Sequence, residues 1–445
     1  MKNAYPISKK LFDIFALFTR EPFVQFYTKE LEFYSNGNGV LLGLISMDLI
    51  DGDYYTCILS RDSSRQYRAE SVEGNIPTIE QARSWIDTKM GSDAITYHEN
   101  VEYFDVFKGR TSEKQTHPNY KLLKESESFS SAREVIKEVS YHYKDIDGNF
   151  IDQFQSINGF DARVWELYLF CFFREQYFSF ERNHEAPDYL VEKFGPKIAI
   201  EAVIVSRKTA LSKVLEHKSS EEIQEALSND VPLMYGSALF SKVKKEYWKR
   251  DHVQNMPFVI AIADFHDDFS MTWSFGALSE YLYGYKYSSS FDDDGKLLIE
   301  PVQVEGYKKR NGTIVPSGFF FQPGSENVSA VIFSSCATLS KFNRIGKQAG
   351  LGSGNVELIR TISYHDHDPN ASEPALLSYK VCEASDESWS EGIIIYHNPN
   401  ANILLNPDLF DERVAQAFFQ NGFIKSVMPE VFPYSSSTLN LIVKE

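Results

Sequence analysis

Cysteine is scarce in this sequence. Cys57, Cys171, Cys336 and Cys382 lie far apart, and no Cys-x-x-Cys pair occurs. That spacing argues against a disulfide framework and a cysteine zinc site, and it fits reduced thiols. Positive charge is also short: 45 lysines and arginines face 62 aspartates and glutamates, a net charge of −17. Nonspecific coating of nucleic acid depends on cations against phosphates, so that mode of binding is disfavoured. A local basic groove stays open, because Lys242, Lys244, Lys245, Lys249 and Arg250 oppose only Glu246 over residues 237–250. No apolar run approaches the roughly 18 residues that cross a bilayer. Residues 1–16 mix lysines with Asp13 and Pro6, unlike a secretion signal. A cytoplasmic protein without a membrane partner is expected. Gly-x-Ser-x-Gly, His-Glu-x-x-His and Walker A motifs are missing too, so any ATP-driven step would need a partner.

What is present is ordinary globular material. At 445 residues with 43% hydrophobic side chains, the chain exceeds one core and predicts two or three domains. Residues 1–125 read as β-rich: Asn36-Gly37-Asn38-Gly39 separates two apolar strands, and Thr78 caps a helix running to about Lys89. Residues 108–130 read as a polar connection. The middle region, 126–285, predicts an apolar helix over 160–178 and two strands joined around Gly195-Pro196. A polar helix follows over 219–227, then an amphipathic basic helix over 239–248 and a buried strand over 257–265. Residues 286–445 read as an α+β region for recognition or assembly, with strands at 328–334 and 392–397 and a helix over 408–420.

Three carboxylates stand out in the middle region. Glu166 lies in the apolar helix, Asp188 follows Pro187, and Glu201 interrupts the run Ile198-Ala199-Ile200-Glu201-Ala202-Val203. An ionised carboxylate in a buried strand is costly unless a cation compensates it, and converging carboxylates suit magnesium.

This series resembles the PD-(D/E)XK, or restriction endonuclease-like, nuclease superfamily over roughly residues 160–265. Glu166 matches the helical glutamate, Pro187-Asp188 the PD, and Glu201-Ala202-Val203 the (D/E)-X-K. The resemblance implies an α/β fold: a restriction-endonuclease-like mixed-sheet core flanked by β-rich α+β regions. It also implies Mg²⁺-dependent phosphodiester hydrolysis, with Mn²⁺ as a substitute. Asp188, Glu201 and Glu166 would be the metal ligands and, with a lysine, the catalytic set. The substrate would be nucleic acid, DNA ahead of RNA. A protein partner or homo-oligomer is compatible, and a place in prokaryotic restriction or anti-phage defence fits. The sequence departs from the pattern at Val203, where the family has lysine. Lys242 on the basic helix is the expected replacement, with Lys208 as another source. The alternative expectation is a catalytically inactive nuclease-fold binding or scaffold protein, which Val203 and the acidic charge favour. A third is an acid/base hydrolase using Glu201 with Asp264.

Other motifs read as structural. Asp264-Phe265-His266-Asp267-Asp268 predicts a solvated acidic loop, His365-Asp366-His367-Asp368 a surface loop, and Gly350-Leu351-Gly352-Ser353-Gly354 a flexible loop. His397-Asn398-Pro399 reads as a turn, and Cys171 and Cys336 as core.

Overall fold

Apolar runs in the first region build an antiparallel sheet of β1 (Ala4–Pro6), β2 (Thr28–Asn36), β3 (Leu41–Asp48), β4 (Tyr54–Arg61) and β5 (Tyr67–Ile76), in that order. The computed structural model describes residues 3–37, 39–91, 103–109, 111–207, 218–309 and 311–443. Between β1 and β2, α1 (Lys9–Ala16) buries Phe12 and Ala16 with Phe33, Leu42 and Leu59 of the sheet. After β5, α2 (Ile79–Met90) starts where Thr78 Oγ accepts the Gln81 backbone N–H. Its Ala82, Ile86 and Met90, four apart, pack on the other sheet face with Leu41, Ile45 and Ile58. A Cβ at Gly43 would lie 2.7 Å from Met90 Cε, so glycine sets the closeness of this helix to β3.

Residues 108–130 are not merely a connection. Pro118 opens α3 (Pro118–Glu125), and its Tyr120 and Leu123, three apart, enter the main core. Three helices complete this layer: α4 (Ser130–Ser140), α5 (Phe150–Gln155) and the largely buried α6 (Phe160–Glu175).

The chain then enters an eight-stranded mixed sheet. Its first part is β6 (Ser179–Glu181), β7 (Tyr189–Glu192) and β8 (Lys197–Val205), followed by α7 (Ser220–Glu225), α8 (Val231–Val243), β9 (Phe258–Asp264) and α9 (Phe275–Tyr283). Two hairpins project next, β10 (Tyr285–Phe291) with β11 (Leu297–Gln303) and β12 (Gly306–Lys308) with β13 (Ile314–Pro316). The chain returns through β14 (Ala330–Ser334) and α10 (Leu339–Gln348). β15 (Val356–Tyr364) and β16 (Ala375–Lys380) come next, then β17 (Ile393–His397), β18 (Ala415–Gln420), β19 (Phe423–Val427) and β20 (Pro433–Ile442). The sheet order is β19-β18-β17-β14-β9-β8-β7-β6, with β8, β9 and β14 mutually parallel, while β15, β16 and β20 form a separate three-stranded sheet. The strands after residue 285 thus complete the same sheet that β6–β9 begin. Residues of α4, α6 and α10 cover one face, those of α8 and α9 the other.

Two expected helices are corrected. Residues 408–420 hold a single 3₁₀ turn at Pro407–Leu409 and then β18, because Ala415 and Ala417 alternate inward and pair beside β17. The basic helix begins earlier and ends at Val243, with left-handed Glu246 and a 3₁₀ turn at Tyr247–Lys249 after it, so Trp248 is not on it.

A charge knot ties the last third to α10. Buried Glu387 receives Arg344 Nε and Nη2 at 2.7 Å each, with Lys341 Nζ at 3.5 Å and Arg360 Nη2 at 3.4 Å. These cations hold the Glu387 carboxyl far below the usual carboxylate range, against the upward push of its burial.

Candidate functional site

Register places the carboxylates. Tyr189 pairs with Ile200 across β7 and β8, so Asp188, just before β7, arrives beside Glu201. Ala202 donates its backbone N–H to Asp188 Oδ2 at 2.7 Å. Within β8, Ile198 and Ile200 face the α6 layer, while Ala199, Val203 and Val205 face the α8 layer. Glu201 shares the latter face by alternation, which is where a lysine at position 203 would point. Lys242, on the last turn of α8, reaches there instead: its Nζ lies 2.7 Å from Glu201 Oε1. Glu201 is 3% exposed, and its Oε2 is buried with no hydrogen-bond partner.

Glu166 arrives from the other helical layer and is engaged. Its Oε2 accepts Arg163 Nη1 at 2.7 Å and the Tyr143 hydroxyl at 2.9 Å, and its backbone carbonyl accepts the Tyr189 hydroxyl at 2.8 Å. The three carboxylates sense one another in sequence. Burial, then the Glu201 charge, pushes Asp188 up to about 7, against Lys242 and the Ala202 N–H. Burial, then the Asp188 charge, pushes Glu166 up to about 7, against Arg163 and Tyr143. Tyr247 is pushed up to about 12 by burial, then by Glu201 through its charge and hydrogen bonding, then by the charge of Asp188. The site is therefore a chain of acids with Asp188 in the middle. Their ligand oxygens do not all come within 4.8 Å of one another.

The loop carrying Asp188 is pinned from outside. The Ala186–Pro187 peptide is cis, and the Ala186 carbonyl accepts Arg250 Nη1 and meets His252 Nε2, each at 3.0 Å. His184 stacks on His252 with ring centroids 3.8 Å apart.

Sequence reasoning named Glu166, Asp188, Glu201 and Lys242, and the fold brings them to one region. It missed Arg163, Tyr143 and Tyr247, and named Arg250 only as part of the basic stretch. Arg163 stands three residues before Glu166 and could have been read as its helical ion-pair partner; the tyrosines carry no such signal. Lys208 lies outside the described residues.

Asp264 does not belong to a solvated loop. It ends β9 at 1% exposure, where its Oδ1 meets His266 Nδ1 at 2.6 Å and its Oδ2 accepts the Tyr235 hydroxyl at 3.3 Å. It pairs beside Val205 while Glu201 pairs beside Ile260, so four strand residues, about 13 Å, separate the two acids. They do not face one pocket as an acid/base pair. The Gly350–Gly354 loop is fastened rather than free: Ser131 Oγ donates to the Leu351 carbonyl and Ser353 N–H to Ser130 Oγ. His365 Nδ1 lies 2.7 Å from the Tyr434 hydroxyl, and His367 meets the carbonyls of Pro429 and Glu430. Burial raises the Cys171 and Cys336 thiols, as core positions require.

Among the described residues, one acidic cluster has three ligand atoms mutually within 4.8 Å: Asp48, Asp51 and Asp53 in the β3–β4 turn, which could hold a metal ion. Among the same residues, no helix is long and apolar enough to cross a membrane. No family model, curated protein or solved structure matches the chain.

Proposed function

We propose that the chain is a metal-dependent nuclease-type phosphodiesterase on a restriction-endonuclease-like core, acting on nucleic acid, DNA ahead of RNA, in the cytoplasm. The observation that carries this reading is the state of Glu201, with one oxygen on Lys242 and the other buried and unpartnered. Leaving a buried charged acceptor unsatisfied costs about 1–3 kcal/mol or more, which a divalent cation would relieve. Two further features support it. The succession α6, β6–β8, α8, β9 sets the helical glutamate, the Pro-Asp and the strand acid in the order of the resemblance. A lysine also reaches the face where Val203 leaves one missing.

Asp188 and Glu201 would hold the ion, and their hard oxygens suit Mg²⁺ or Mn²⁺. Such an ion lowers the pKa of a coordinated water and stabilises charge on an attacked phosphate. Lys242 spends one of its three N–H donors on Glu201, leaving the others for a phosphoryl oxygen. Glu166, held by Arg163 and Tyr143, feels the Asp188 charge and stands beside the pair rather than as a third ligand. Exposed Lys244, Lys245, Lys249 and Arg250 would meet the nucleic-acid backbone close to the site.

A second reading, an inactive nuclease-fold binding or scaffold module, is favoured by the same ion pairs, since Lys242 and Arg163 already compensate Glu201 and Glu166. Labelled single- and double-stranded DNA and RNA, incubated with Mg²⁺, Mn²⁺ or chelator, separate the two. Metal-dependent cleavage lost in Asp188→Ala supports the enzyme. Binding without cleavage, weakened in a Lys244→Ala/Lys245→Ala/Lys249→Ala variant, supports the module. Cleavage equal in parent and Asp188→Ala removes this site as its source.

A further inference from the structure

The loop leaving β9 opens on a cavity that Glu201 does not line. It holds about 330 Å³; Lys218, Asp267, Trp273 and the hydroxyl residues Thr361, Ser363, Ser435 and Ser437 line it, together with apolar Ile223, Phe269 and Leu376. In parallel α/β sheets, ligands settle outside the carboxyl ends of strands, and cavities of this size take small ring-shaped molecules.

The lining is ordered by register. Thr361 pairs with Ser437 and Ser363 with Ser435 across β15 and β20, so the four hydroxyls lie on one sheet face. Ser363 Oγ and Ser435 Oγ are 2.7 Å apart, and Thr361 Oγ1 lies 3.0 Å from Ser378 Oγ of β16. Each hydroxyl both donates and accepts, so the face matches another set of hydroxyls. Trp273 also lines the cavity. The His266 ring stands near-perpendicular to it with centroids 5.2 Å apart, and Lys218 Nζ sits over one part of its ring system, 5.5 Å from the centroid. His266 is itself held by Asp264, and its side chain is only 10% exposed. The charges at the rim cancel, because Lys218 pairs with Asp267. With that cation already paired, phosphates and carboxylates lose their counter-charge. What remains is an apolar side, Trp273 with Ile223, Phe269 and Leu376, facing a field of hydroxyls.

We propose that this cavity binds a neutral polyhydroxylated ring, a saccharide or the ribose of a nucleoside, with one ring face on Trp273 and its hydroxyls on Thr361, Ser363, Ser435 and Ser437. The site is independent of the carboxylates: Tyr235, which meets Asp264, and Lys242, which meets Glu201, stand two turns, about 10.5 Å, apart on α8.

Saturation-transfer NMR on the full chain with D-ribose, D-glucose, cellobiose and adenosine tests it. Saturable transfer to sugar-ring protons of at least one probe is expected. A response to the free sugars points to a saccharide, and a response to the ribose protons of adenosine alone points to a nucleoside. Trp273→Ala should abolish the signal, and the milder Thr361→Val/Ser437→Ala pair should weaken affinity about tenfold, the worth of two hydrogen bonds. Asp188→Ala should leave it unchanged, which separates this proposal from the nuclease reading. Silence from every probe, transfer to the adenine protons alone, or a signal indifferent to both cavity variants would overturn it.

Discussion

Lys242 Nζ lies 2.7 Å from Glu201 Oε1, so a lysine on α8 meets a strand acid whose own strand offers valine two residues on. The pair joins a nearly buried carboxylate to a partly exposed ammonium. Removing the ammonium strands the carboxylate. Lys242→Met should therefore destabilise the fold by about 2 kcal/mol, and Glu201→Gln in the same chain should recover part of it. Urea denaturation of the double-mutant cycle checks this; additive single effects would dissolve the pairing. In the nuclease reading, Lys242→Met also lowers metal-dependent cleavage by about 100-fold.

Asp188 and Glu166, both pushed up to about 7, make the metal-free fold sensitive to pH. Their folded pKa values lie above the unfolded ones, so protonation favours the folded state. Their contribution is fully present below about pH 4, the ordinary range for carboxylates, and is lost as pH rises through 7. Thermal melts from pH 5 to pH 8 in chelator should show a steeper decline for the parent than for an Asp188→Asn/Glu166→Gln variant. Saturating Mg²⁺ should reverse the trend, because the cation binds the ionised forms. A parent and variant with parallel melting profiles would falsify the assignment.

The turn acids Asp48, Asp51 and Asp53 could hold a metal ion, whereas the proposed function puts one on the strand acids Asp188 and Glu201. Calorimetric titration with Mn²⁺ distinguishes them. Asp51→Asn/Asp53→Asn should remove binding at the turn and leave any cleavage intact, whereas Asp188→Ala should do the converse. If the turn variant alone abolishes cleavage, the catalytic ion has been misplaced.

Glu387 should be the most sensitive acid for stability. Glu387→Gln leaves Arg344, Arg360 and Lys341 buried without their shared counter-charge. A loss of about 3–5 kcal/mol is expected, read as a lowered denaturation midpoint. A change under about 1 kcal/mol would mean that Glu391 and backbone carbonyls suffice for the three cations.

Strong local signals carried the parts of the fold that were legible. The Thr78 cap, the apolar runs of β3 and β4, and the unbroken apolar run of β9 each follow from neighbouring residues. The carboxylates were legible because a charge inside an apolar strand is conspicuous, as Glu201 is. The misread pieces depend on distant partners. Ala415-Gln416-Ala417-Phe418 can serve a helix or a strand, and only the edge offered by β17 decides. Tyr120 and Leu123 look like residues of a polar loop until α4–α6 supply a surface for them. Likewise, nothing local brings Tyr143 to Glu166 or Trp273 to the hydroxyls of β15 and β20.

The neighbour that β9 acquires on its far side has a cost during synthesis. β9 is buried along its whole length, yet β14 emerges only after α9 and two projecting hairpins have been made. While the ribosome is still translating that excursion, the nascent chain presents a bare apolar edge with unmatched amide and carbonyl groups. Such an edge is a docking place for chaperones and a seed for aggregation. Expression yield should thus respond to the speed of translation between the two strands more than to the stability of the finished protein.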